Sequence, residues 1–127
     1  MDKAVLVSLD LAAGEKIIDA LDKSGLEVSV ALWAILAEYG YPKLILASRY
    51  FDDESPIKAY NKVLGALREK DVNTNQAPQL LVLRMKDPFI RQLRKLFGNT
   101  KSVAGMRLGG QSFGDRFIEE GYVYRIS

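Results

Sequence analysis

Val28-Ser29-Val30-Ala31-Leu32-Trp33-Ala34-Ile35-Leu36-Ala37-Glu38-Tyr39-Gly40-Tyr41-Pro42-Lys43-Leu44-Ile45-Leu46-Ala47-Ser48 places two apolar runs on either side of a turn signal. In an extended chain successive side chains face opposite ways, so Val28, Val30, Leu32, Ala34 and Leu36 share one face and Ala31, Trp33, Ile35 and Ala37 the other. Both faces are apolar, as in a central strand covered on two sides. Gly40-Tyr41-Pro42 reads as the turn, and Lys43 to Tyr50 as the returning antiparallel strand, centred on Leu44, Ile45 and Leu46. The competing reading is a short helix over Ala31 to Glu38, because Ala, Leu and Glu favour helices.

Outward from this hairpin the punctuation is helical. On the N-terminal side Ser8 is a cap for a helix running to about Ser24, which Ala4 to Val7 extend toward the N-terminus, with Leu11, Ile17, Ile18 and Leu21 on one stripe. Gly25 followed by Leu26 fits a Schellman ending. Gly14 sits inside that helix at about 1 kcal/mol relative to Ala, a cost that close packing against another element offsets. On the other side Ser55-Pro56, with Asp52, Asp53 and Glu54 ahead of it, starts an amphipathic helix to about Lys70. Asp71 to Pro78 is a polar, turn-rich loop, too short to separate domains. Leu80 to Met85 reads as a strand, and Asp87-Pro88 starts a helix of Phe89 to Phe97 closed by Gly98. The rest is expected as three short strands, Ser102 to Leu108, Gln111 to Ile118 and Tyr122 to Ile126, with kinks at Gly105 and Gly114 and a turn at Glu119-Glu120-Gly121.

These elements describe a single α+β domain over residues 1–127: a mixed, mostly antiparallel sheet of about five to six strands packed with about three helices. The length and the 48% hydrophobic content suit one core. No repeat or low-complexity segment interrupts it. The longest apolar run is roughly half of the ~20 residues that a membrane-spanning helix requires, and no export signal is visible, so a soluble, cytoplasmic protein without a membrane partner is expected.

Composition excludes several chemistries. The chain has no cysteine, hence no disulfide, thiolate nucleophile or cysteine-bound metal, in keeping with a reducing compartment. It has no histidine, hence no imidazole general base or ligand. No cofactor is implied, and the missing catalytic vocabulary points away from an enzyme.

Charge is distributed unevenly. Residues 1–60 carry six Lys/Arg against ten Asp/Glu and residues 61–127 carry twelve against six, a net −4 and +6. Arg84, Lys86, Arg91, Arg94, Lys95, Lys101 and Arg107 face a single acid, Asp87, over that stretch. Arg91, Arg94 and Lys95, three and four apart, share one side of their helix, a positive ridge of the kind that phosphates meet in nucleic-acid association. An ordinary solvated helix face accounts for the same residues. Val103 to Gly114 is rich in glycine, and backbone amides around Gly109 and Gly110 suit an anion, although neither a P-loop nor a dinucleotide fingerprint is present and a hairpin turn with kinks is the favoured account of the glycines. Tyr39, Tyr41, Tyr50, Tyr122, Tyr124 and Trp33 supply aromatic surface for base stacking or for packing.

Val30-Ala31-Leu32-Trp33 through Ala47-Ser48-Arg49, and Gly105-Met106-Arg107-Leu108-Gly109-Gly110-Gln111 through Tyr122-Val123-Tyr124-Arg125, resemble segments of a family of small uncharacterised bacterial proteins. The resemblance covers about a third of the chain, implies a natural domain of bacterial type, and carries no catalytic residue.

Three functional expectations follow from these residues. The first is a non-enzymatic module whose basic second half contacts nucleic acid or another polyanion. The second is a protein-interaction or self-associating subunit, suggested by two-sided apolar strands and open sheet edges. The third is a carboxylate- and metal-dependent hydrolase or nuclease built on Glu38, Asp52 and Asp53, with Asp10 or Glu54 as further oxygen ligands.

Overall fold

A computed structural model describes residues 11–72, 80–100 and 102–127. Ser8 and the residues around it, Asp10, the loop from Asn73 onward and Lys101 lie outside the described residues. In chain order the elements are α1 (Leu11–Lys23), β1 (Val30–Leu36), β2 (Pro42–Ala47), a 3-10 turn (Arg49–Phe51), α2 (Pro56–Glu69), β3 (Leu80–Leu83), α3 (Pro88–Phe97), β4 (Arg107–Leu108), β5 (Gln111–Phe113) and β6 (Arg116–Ile126). The sheet runs β3-β2-β1-β6-β4, with β5 also on β6. All pairs are antiparallel except β2 with β3, which the α2 crossover makes parallel.

The hairpin reading holds, except that the returning strand stops at Ala47 and Arg49-Tyr50 belong to the 3-10 turn that follows. β1 pairs with β2 from Val30 opposite Ala47 to Ile35 opposite Pro42, and its other edge pairs with β6. A short helix over Ala31 to Glu38 would forfeit both ladders. Side-chain alternation then sorts the core into two layers. Ala31, Trp33, Leu44 and Leu46 meet α1 and α2 on one face. Val30, Leu32, Ala34, Leu36, Ile45 and Ala47 meet Phe89, Ile90 and Leu93 of α3 on the other. The sheet is therefore sandwiched between helices, and β1 is buried along its whole length.

Helix ends follow the local signals. Gly25, at φ 85°, closes α1 in a Schellman motif: the Leu26 amide donates to the Leu21 carbonyl and the Gly25 amide to that of Asp22, each at 3.0 Å. Ser55 caps α2 by accepting from the Lys58 amide, and Asp87 caps α3 by accepting from that of Phe89, each followed by proline at the first helical position. Gly98 stops α3 differently from expectation. It stays right-handed, at φ −62°, and donates to the Arg94 carbonyl at 2.8 Å, so the helical hydrogen bonding runs on to it and no left-handed residue closes the helix.

The last third departs most from the sequence reading. Glu119-Glu120-Gly121 is not a turn but lies inside the 11-residue β6. The chain reverses at Gly114-Asp115, between Phe113 and its partner Arg116. Only the first of the two turn residues has positive φ, 60° at Gly114, the pattern of a type II′ hairpin. β4 and β5 keep one register on β6 and are a single strand broken at Gly109-Gly110. The reason is competition between glycines. Gly121 stays in the strand because a Cβ there would meet the Trp33 carbonyl at 3.3 Å, so its glycine serves a close strand approach.

Two glycines mark contacts that fix the layers. A Cβ on Gly14 would overlap the Tyr124 hydroxyl, which accepts from Trp33 Nε1 at 2.9 Å and donates to the Leu11 carbonyl at 2.7 Å. A Cβ on Gly114 would lie 2.6 Å from the Pro88 carbonyl carbon and 2.7 Å from the Phe89 nitrogen. Gly14→Ala is expected to destabilise by about 1–3 kcal/mol, despite a helix-propensity gain of about 1 kcal/mol, and to cost less in a Tyr124→Phe background. Urea unfolding of the two single variants and the double variant checks both the sign and the coupling. Gly114→Ala should cost about 2 kcal/mol or more, because left-handed strain of ~1–2 kcal/mol and the clash with the α3 start add. A denaturation midpoint equal to wild type would refute the fit described for this turn.

Candidate anion-binding groove

α3 reads Pro88-Phe89-Ile90-Arg91-Gln92-Leu93-Arg94-Lys95-Leu96-Phe97, and the helical period turns Phe89, Ile90 and Leu93 into the core. Arg91, Arg94 and Lys95 consequently project outward from one exposed side. They line an open groove of about 580 Å³ together with Pro88, Gln92 and Gly114. Gly114 makes the opposite wall: lacking a side chain, the β5–β6 turn sits directly against the first turn of α3. Among the described residues no carboxylate side chain lines this groove.

The three cations differ in freedom. Arg94 Nε donates to the Ser127 carbonyl at 2.8 Å, tying α3 to the end of β6. Arg91 and Lys95 make no ion pair or side-chain hydrogen bond among the described residues. Lys16, Arg68, Lys70 and Lys86 are likewise without such a partner among the described residues, but they do not line this groove.

Of the other cations expected at this site, Lys101 lies outside the described residues, and Arg84, Lys86 and Arg107 do not line the groove. Arg84 donates to the Glu54 carbonyl at 3.0 Å, and the adjacent Met85 amide to Asp52 at 2.8 Å, so this stretch fastens the end of β3 to the loop before α2. Lys86 is exposed on the link into α3. Arg107 lies over the Tyr122 ring at 5.2 Å, and Tyr122 packs on the α1/α2 side of the sheet, the face opposite α3. Gly109 and Gly110 occupy the break between β4 and β5, the latter with φ 66°. Sequence reasoning identified the α3 ridge but not its second wall. The signal was present in Gly114-Asp115, a two-residue hairpin turn.

At the N-terminal end of α3 the half-buried Arg116 connects three elements. Its guanidinium donates to Glu38 in the β1–β2 turn and lies 3.9 Å from Asp87, the α3 cap. Burial works to lower the Arg116 pKa, but the Glu38 carboxylate, a hydrogen bond with Tyr39 and Asp87 outweigh it, and the pKa is raised. Tyr39 and Tyr41 stand beside this cluster in the same turn, with the Lys43 ammonium 4.5 Å and 5.2 Å from their ring centroids.

The acids do not converge. Glu38 is paired with Arg116, Asp52 accepts from the Met85 amide, and Asp53 is exposed. Glu54 pairs with Lys62 at 2.8 Å, which lowers its pKa. Among the described residues no group of three or more acids is placed to hold a metal ion. A smaller cleft of about 230 Å³ between α1 and β6 contains Glu15, Asp19 and Asp22, but there Arg125 bonds Asp22 at 2.9 Å and the Val28 carbonyl at 2.8 Å, and Lys23 pairs with Asp19. No helix among the described residues is long and apolar enough to cross a membrane.

Arg116→Met should destabilise by about 1–3 kcal/mol, because it leaves the Asp87 and Glu38 carboxylates without their shared donor. Thermal unfolding compared with Glu38→Gln, which removes one acid and is expected to cost less, checks the assignment. Comparison with protein-family models, with curated protein sequences and with solved structures finds no match to this chain.

Proposed function

We propose that the protein is a non-enzymatic binding module that holds a polyanion, foremost the phosphate backbone of a nucleic acid, along α3. The observation that supports this reading is the pair Arg91 and Lys95, which among the described residues are unpartnered on one ridge in a groove that no carboxylate side chain lines. Phosphate oxygens are the ligands such a ridge suits, and their attraction needs no histidine, cysteine or metal. The fork of Arg91 can bind a phosphate bidentately, and the flexible Lys95 adds a second point charge one helical turn away.

The alternative expectation of a self-associating subunit draws less support. The two-sided apolarity that suggested it is satisfied within the chain, by α1 and α2 on one face of the sheet and α3 on the other. The metal-dependent reading draws none from the separated positions of Glu38, Asp52 and Asp53.

With two backbone contacts, log Kobs for duplex DNA should fall against log salt with a slope of roughly −1.8. Arg91→Ala/Lys95→Ala should abolish most of that dependence. Anisotropy titrations of a labelled nonspecific duplex at low and physiological salt measure both. Absence of binding by duplex and by single strand alike at low salt, or binding unchanged in the double variant, would return the ridge to a solvated helix face.

A further inference from the structure

The surface at the start of α3 continues past Pro88. Asp87 lies 3.9 Å from Arg116, and Arg116 bonds Glu38, so two carboxylates bridged by one guanidinium connect the start of α3 to the β1–β2 turn. There Tyr39 packs against the α3-side core, and Tyr41 stands 6.2 Å from it, ring to ring, with 44% of its surface exposed. The Lys43 ammonium lies near both rings and restrains them. Tyr41 is thus an exposed aromatic beside a cation, in a turn that Glu38, Arg116 and Asp87 connect to the start of α3.

Cations for the backbone beside an aromatic face for a base are the elements of single-strand recognition. A duplex has its bases stacked on one another and offers only their edges in the grooves, so it leaves the Tyr41 face without a partner. Two unpaired cations alone also make a weak duplex site. We infer that the occupant of the α3 groove is a single-stranded nucleic acid, with successive phosphates on Arg91 and Lys95 and a neighbouring base stacked on Tyr41. This rests on the polyanion reading and narrows it to one ligand class.

The test uses the full chain and three labelled probes at low salt: an oligothymidylate single strand, an abasic strand of equal length, and a blunt duplex. The oligothymidylate should bind roughly tenfold tighter than the abasic strand, the effect of one stacked base. Tyr41→Ala should bring it down to the abasic affinity and leave abasic binding unchanged, while Tyr41→Phe should keep wild-type affinity. Should Tyr41→Ala lose the abasic strand as well, Tyr41→Leu, which retains bulk without the aromatic face, is read in its place. Equal affinity for the single strand and the abasic strand, a duplex bound as tightly as the single strand, or full binding by the variant lacking the ring would overturn the stacking inference and leave the groove reading standing. Binding of none of the three probes would overturn both.

Discussion

Val30 to Leu36 has each side chain buried and each edge hydrogen-bonded, to β2 on one side and β6 on the other. A strand in that position cannot shift register by one residue without exchanging the two core layers, since Ala31 and Trp33 belong to one and Leu32, Ala34 and Leu36 to the other. The placement of all three helices follows from this alternation. α1 and α2 cover the Trp33 face; α3 covers the Leu32 face and is thereby fixed with Arg91 and Lys95 toward solvent. The candidate groove inherits its geometry from a strand that contributes no atom to it.

The regions legible in the sequence were those with local causes. Ser55-Pro56 and Asp87-Pro88 combine a cap with a pre-set proline, and Gly25-Leu26 satisfies two helix-end carbonyls, so neither needs a distant partner. Gly14 announced a close approach without saying to what, because Tyr124 lies near the other end of the chain. The last third was misread for the same reason. Gly109, Gly110, Gly114 and Gly121 give equal turn signals, and only tertiary contacts with Pro88 and Trp33 separate the turn from the strand. The candidate site divided likewise: the helical spacing of Arg91, Arg94 and Lys95 was readable, whereas the face on which Arg107 lands depends on the register of β4 on β6.

The charge asymmetry of the chain also takes a different meaning in three dimensions. Part of the excess in the second half is neutralised by acids of the first: Arg125 by Asp22, Arg116 by Glu38 and Lys62 by Glu54. The two halves hold each other, and a net charge counted along the sequence overstates what a ligand meets. Among the described residues the cations without an acidic partner include Arg68, Lys70 and Lys86 as well as Arg91 and Lys95, and of these Arg91 and Lys95 share one side of α3.

Trp33 is the only tryptophan of the chain, 2% exposed, with its indole nitrogen bonded to the Tyr124 hydroxyl that also reaches the start of α1. The molecule therefore carries an internal optical reporter whose surroundings change when α1 separates from the sheet. That reporter lies on the sheet face away from α3, so its emission follows the integrity of one layer and is insulated from events in the groove on the other.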